Sequence, residues 1–273
     1  MQPVDFIEAG TGQKVVLLHS SVSGARQWRR LMSELESRFH TIAVNLLGYG
    51  RTPAWPADRP QTLDDQAALI DAVLSDDGSK VRLIGHSFGG SVAMKAAARL
   101  GDRVEKLVLL EPNPFYLLDL HGPTKAYAEI IALRDWVKHH SAGEDWQQAS
   151  ARFADYWGGA GTWASMADER RAAFIQALQP NLHEWDAVID ERTTLDEWAR
   201  RLPRQTMVLS ARDTVRPIHE IVKLMQLGCP AWHFAQTPEG GHMAPLGRPD
   251  LVNPIIASFL DEAWQPADVG TTE

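Results

Sequence analysis

Short apolar runs alternate with stretches of helical periodicity along most of this chain, and that alternation leaves few folds open. Residues 15–18, 41–44, 81–84 and 104–110 read as strands, being short and rich in Val, Ile and Leu. Between them, residues 28–35, 63–74 and 87–100 repeat apolar side chains at helical spacing: Leu63, Ala67, Ile70 and Leu74 are one such stripe. Strands that alternate with helices imply a mostly parallel sheet covered on both faces. The unbroken run Leu107 to Leu110 suits a strand buried on both sides. After Pro203 the pattern resumes, with strands at 206–209 and 231–235 and helices at 217–227 and 249–260.

Between these two blocks the alternation stops. Residues 114–203 carry helical patterns and no convincing strand, so the expected organisation is an α/β core from 1–113 and 204–273, interrupted by a helical insert. Trp146, Ala149, Phe153 and Trp157 share one helix face. Ser165 with Asp168, and Thr194 with Glu197, read as capping boxes. Six of the ten tryptophans fall in the insert: Trp136, Trp146, Trp157, Trp163, Trp185 and Trp198.

The formal net charge of -8 argues against a nucleic-acid partner and against docking on anionic membranes, both of which need clustered Lys and Arg. No stretch of about 18 apolar residues exists, so no membrane span is expected. The first twelve residues contain Asp5 and Glu8 and lack the basic start of a signal peptide, which makes the cytoplasm the expected location. The single cysteine, Cys229, excludes an intramolecular disulfide and reads as a small apolar residue at an element end. No histidines show metal-ligand spacing, so neither metal nor cofactor is expected.

The segment Gly85-His86-Ser87-Phe88-Gly89-Gly90 carries the chemistry. A strand leads into it and an Ala-rich helix leads out, which is the setting for a tight turn that presents a serine at a helix N-terminus. There the helix dipole and free N–H groups favour the negative charge that develops in acyl transfer. With this motif in place, the chain resembles the α/β-hydrolase superfamily from about Phe6 to Trp264, most weakly in the insert. The resemblance implies the α/β-hydrolase fold, an active site at the carboxyl ends of the strands, and the chain order Ser, acid, His. Ser87 is then the nucleophile.

A serine hydroxyl needs an imidazole to accept its proton and a carboxylate to orient that imidazole. His242, in Glu239-Gly240-Gly241-His242 just past the strand at 231–235, resembles the superfamily's catalytic histidine. For the acid, the resemblance favours Asp213, in the loop after the strand at 206–209; Glu111, at the end of the strand at 104–110, is the alternative. One oxyanion donor is expected to be the backbone N–H of Phe88. The second falls to Ser21, because His19-Ser20-Ser21 stands where the superfamily often has His-Gly. That departure leaves the loop geometry open. Asn45, where Asp is common, reads as a turn residue bonding the local backbone.

The expected activity is hydrolysis of a carboxylic ester through an acyl-enzyme. The aromatic insert would roof Ser87 and receive an apolar acyl or aromatic group of a small-molecule substrate. Cleavage of a carbon–carbon bond in a β-diketone or ring-cleavage product, and hydrolysis of a lactone or thioester, remain alternatives. A slow-turnover ligand receptor is a reading of another class. Epoxide hydrolase and haloalkane dehalogenase chemistry is disfavoured, because those relatives place Asp where Ser87 stands.

Overall fold

The computed structural model describes residues 3–74 and 78–261, so the polar tail from Gln265 lies outside the described residues. Seven strands form one sheet: β1 (Phe6–Ala9), β2 (Gln13–Leu18), β3 (Phe39–Val44), β4 (Val81–His86), β5 (Val104–Leu110), β6 (Thr206–Ala211) and β7 (His233–Thr237). Their spatial order is β1-β3-β2-β4-β5-β6-β7, with β1 antiparallel and the remaining pairs parallel. The mostly parallel sheet expected from the alternation is therefore present, as is the α/β-hydrolase fold that the resemblance implies. The strand β1 was not expected; its burial alternates, as an edge strand's does, and four residues leave little periodic signal. The last strand begins two residues later than expected, because Ala231 and Trp232 form a turn after Cys229.

The helices of the first half are α1 (Arg29–Leu35), α2 (Leu63–Val73) and α3 (Phe88–Leu100). A capping box at Thr62 and Asp65 starts α2. Between β5 and β6 the chain forms α4 (Tyr116–His121), α5 (Thr124–Ala142), α6 (Trp146–Gly158), α7 (Asp168–Leu178), α8 (Asn181–Ile189) and α9 (Leu195–Arg201), with no strand among the described residues. The box at Thr194 and Glu197 starts α9 as expected, a contribution of about 1 kcal/mol for such a cap. Ser165 does not cap α7. Its hydroxyl donates to the Thr162 carbonyl instead, and Ala167 precedes the helix without a side-chain bond. After β6 come α10 (Arg216–Gly228), α11 (Ala244–Gly247) and α12 (Pro249–Leu260).

Two apolar layers flank the sheet. One packs α1 and α12 against it through Leu31, Met32, Leu35, Ile256 and Phe259. The other joins α2, α3 and the insert, through Leu63, Ile70, Val92, Tyr116 and Trp198. Central to function is the position of β2 and β4. They are neighbours, yet β2 continues to β3 on one side while β4 continues to β5 on the other. Such a switch point opens a crevice at the carboxyl ends of the strands. The loop after β2 and the turn after β4 both emerge there.

Candidate active site

Ser87 sits between β4 and α3 with φ 52° and ψ -118°, a backbone conformation that side-chain-bearing residues rarely adopt. Its N–H donates to the Leu110 carbonyl at 2.9 Å, fastening the turn to the end of β5. The flanking glycines are steric necessities. A Cβ on Gly85 would lie 2.1 Å from the Gly89 carbonyl oxygen, and one on Gly89 would lie 2.3 Å from that of Leu18.

The Ser87 hydroxyl lies 2.9 Å from Nε2 of His242, and the opposite ring nitrogen, Nδ1, lies 3.2 Å from Oε2 of Glu111. All three side chains are buried. Glu111, favoured second in the sequence, is thus the carboxylate that faces the imidazole. It also has a positive φ, 47°, immediately before Pro112. Two further donors aim at its carboxylate, the N–H of Ala211 and the hydroxyl of Thr214. The last residue of β6 and the loop after it, where the resemblance put the acid, supply the donors that hold a carboxylate at the end of β5.

Asp213, the first choice for the acid, lies elsewhere. It is exposed, and its oxygens accept the N–H groups of Gly240 at 3.2 Å and Gly241 at 2.8 Å. It braces the loop that carries His242 and does not touch the ring. Thr214, the next residue, is the one whose side chain reaches Glu111, while that of Asp213 is exposed.

Burial disfavours charge on both members of the His242–Glu111 pair. It pushes the Glu111 carboxyl up to about 8, against the pull of the Thr214 and Ala211 hydrogen bonds. It pushes His242 down to about 3. The imidazole is therefore held neutral, as a base that must accept the serine proton requires.

A second histidine places the His242 backbone. His86 donates from Nε2 to the His242 carbonyl at 2.9 Å, and its Nδ1 accepts from the Gln27 side-chain amide at 3.0 Å. The Gln27 carbonyl oxygen in turn accepts the N–H of Ser20 at 3.0 Å. Burial holds His86 well below the ordinary imidazole value, so it stays in this single neutral tautomer. The same is true of His19, pushed to about 4, which donates from Nδ1 to the Ser20 carbonyl and accepts from the Leu46 N–H at Nε2. No motif in the sequence marks Gln27 as part of this chain of contacts, since its partners lie up to 59 residues away.

Ser87 opens into a cavity of about 690 Å³. Ser21 and Phe88, the expected oxyanion donors, both line it, and among the described residues neither backbone N–H has an acceptor. The opposite wall comes from the insert. Trp157 of α6 packs its ring 4.3 Å from that of His242, and Phe115 stacks with Trp157 and Trp185 at 6.4 and 5.8 Å between centroids. Asn45, expected to bond its local backbone, instead accepts from the distant Ala25 N–H and donates to Asp5.

Residues 15–255 match the alpha/beta hydrolase family. The chain belongs to that family. Among curated alpha/beta hydrolases, it is 25% identical to the 2-hydroxy-6-oxo-6-(2'-aminophenyl)hexa-2,4-dienoic acid hydrolase of Metapseudomonas resinovorans, over 93% of this chain and 86% of that protein. It is 41% identical to Lipase LipV of Mycobacterium tuberculosis, over only 36% of this chain and 37% of that lipase. A solved structure of a carboxylesterase from the thaumarchaeon Nitrososphaera gargenis superposes with a TM-score of 0.72 at 16% identity, covering 94% of this chain and 93% of the other. That last likeness is one of fold. This alpha/beta hydrolase is a hydrolase by family, and no described helix is long and apolar enough to cross a membrane.

Proposed function

We propose that the protein is a serine hydrolase that cleaves a neutral carboxylic ester bearing an apolar acyl or aromatic group, with Ser87 as nucleophile, His242 as base and Glu111 as the orienting acid. One observation carries this reading: hydroxyl, imidazole and carboxylate lie in line at 2.9 and 3.2 Å on the floor of an aromatic-walled cavity. His242 Nε2 takes the proton as Ser87 Oγ bonds to the ester carbonyl carbon. The carbonyl oxygen, now negative, is received by the N–H groups of Phe88 and Ser21. Collapse breaks the bond to the alkoxy oxygen, which leaves with the proton from His242. Water then repeats the sequence on the acyl-enzyme and releases the acid. Glu111 supplies the opposite charge that the buried imidazolium needs in both halves.

Helices α4 to α9 act in this reading as a lid over the site. The 2-hydroxy-6-oxo-dienoic acid hydrolase relative supports a second reading, carbon–carbon cleavage of a ring-cleavage product. That substrate would bring a carboxylate into the cavity. The buried ionisable side chain facing it from the insert is itself acidic, Glu184, while the lining cation Arg170 is exposed. This balance favours the neutral ester.

The test is a panel of nitrophenyl esters, lactones, thioesters and ring-cleavage dienones, with a fluorophosphonate label mapped by mass spectrometry. Label on Ser87 and fastest turnover of apolar esters are expected. Dienones turned over faster than every ester would reverse the substrate assignment. Tight ligand binding with negligible turnover would make the protein a receptor. The pH dependence is also specified: His242 offers a free Nε2 to Ser87 only while Glu111 is a carboxylate, and burial pushes that carboxyl up to about 8, so kcat/KM should rise along an ascending limb near pH 8. A profile flat from about pH 8 down to below about 6.5 would show that ionisation of Glu111 does not govern the reaction.

A further inference from the structure

The loop after β2 presents Ser21 to the site without the glycine usual in its neighbourhood, so something else must fix its geometry. The ties converge on one carboxylate. Glu184, in α8 of the insert, is 2% exposed. Its Oε2 accepts the hydroxyl of Ser21 and, at 3.0 Å, the side-chain amide of Asn181. Its Oε1 accepts the hydroxyl of Tyr49 at 2.8 Å. The Tyr49 oxygen in turn accepts the N–H of Val22 at 3.0 Å. Val22 has φ 68°, a left-handed conformation that a β-branched residue holds only under external constraint. Ser21, whose φ together with the ψ of Ser20 sets the direction of its N–H, is thus anchored directly to a helix of the insert, and Val22 after it is anchored through Tyr49.

We propose that Glu184 is a positioning residue that aims the Ser21 N–H at the oxyanion, so that the oxyanion hole is complete only while α8 is seated against the loop. This rests on the serine-hydrolase reading given above. Burial pushes the Glu184 carboxyl up, against the pull of its hydrogen bonds from Ser21, Asn181 and Tyr49. Seating of the insert and competence for acyl transfer then become one event, and an unseated insert leaves a nucleophile with half its oxyanion support.

The test compares wild type with Glu184→Leu, Glu184→Gln and Tyr49→Phe, by active-site titration and by the second-order rate of fluorophosphonate labelling at Ser87. Removal of an oxyanion donor costs on the order of 10²- to 10³-fold, and a misaimed donor should cost less. Glu184→Leu should lower kcat and the labelling rate together by about 30-fold while titration still reaches full stoichiometry. Tyr49→Phe should lower both in the same proportion to each other. Glu184→Gln should recover most of the loss, since its amide can face the Ser21 hydroxyl and Asn181 can turn its unpartnered Oδ1 toward it. Unchanged rates in the Leu and Phe variants overturn the proposal. So does a fall in titratable sites with an unaltered rate at the sites that remain, which marks a purely structural role. A wild-type protein that takes no label at Ser87 removes the hydrolase reading and this inference with it; labelled wild type with unaffected variants removes this inference alone.

Discussion

Glu111→Gln should lower kcat by about 10⁴-fold, the cost of a triad acid replaced by its amide, while Asp213→Asn should cost no more than about tenfold. The first substitution keeps the shape of the side chain but removes its charge. An amide can also turn its NH₂ toward His242 Nδ1, forcing the proton onto Nε2, the atom that must accept from Ser87. The second substitution leaves one carbonyl oxygen to accept from Gly240 or Gly241, so the His242 loop loses one of two exposed braces. The two variants are compared by steady-state turnover of one ester, with melting temperatures to confirm folding. A 10⁴-fold loss in Asp213→Asn with near-normal Glu111→Gln would require a loop rearrangement that brings Asp213 into the interior, and would sink the assignment of the acid.

The choice between these carboxylates shows where sequence reading stopped. The sheet was legible because each buried strand is an apolar run closed by a turn, and the elbow because Gly85, Ser87 and Gly89 occupy a fixed strand-to-helix setting. His242 follows β7 at a loop position that the fold repeats. The acid is different: both Glu111 and Asp213 follow a strand, β5 or β6, that ends beside the site. What separates them is side-chain direction. Glu111 has a positive φ, and its carboxylate is held in the interior by donors from Ala211 and Thr214, about a hundred residues away. Glu184 was hidden for the same reason, since its partner Ser21 is 163 residues distant. Among the described non-glycine residues with positive φ, Val22, Ser87 and Glu111 all lie at this site. Strain of that kind leaves no trace in composition or periodicity.

Ser87→Ala should reduce kcat by about 10⁶-fold, as removal of a triad nucleophile does, and Ser87→Gly should do the same. Their stabilities should differ. Ser87 makes no side-chain cap to α3, so neither variant loses a cap, and both lose the same hydroxyl contact to His242. Alanine retains the strained φ of 52°, whereas glycine relaxes it. A residue held in such a region costs about 1–3 kcal/mol. Glycine gives back roughly 0.5–1 kcal/mol through its extra unfolded-state entropy. The Gly variant should therefore exceed the Ala variant by about 1 kcal/mol, or about 2–4 °C in Tm for a chain near this size. Calorimetry of the two inactive proteins under one buffer decides it. An Ala variant that melts at or above the Gly variant would mean that the bend is relaxed for any side chain, and that Ser87 projects into the cavity without stored strain.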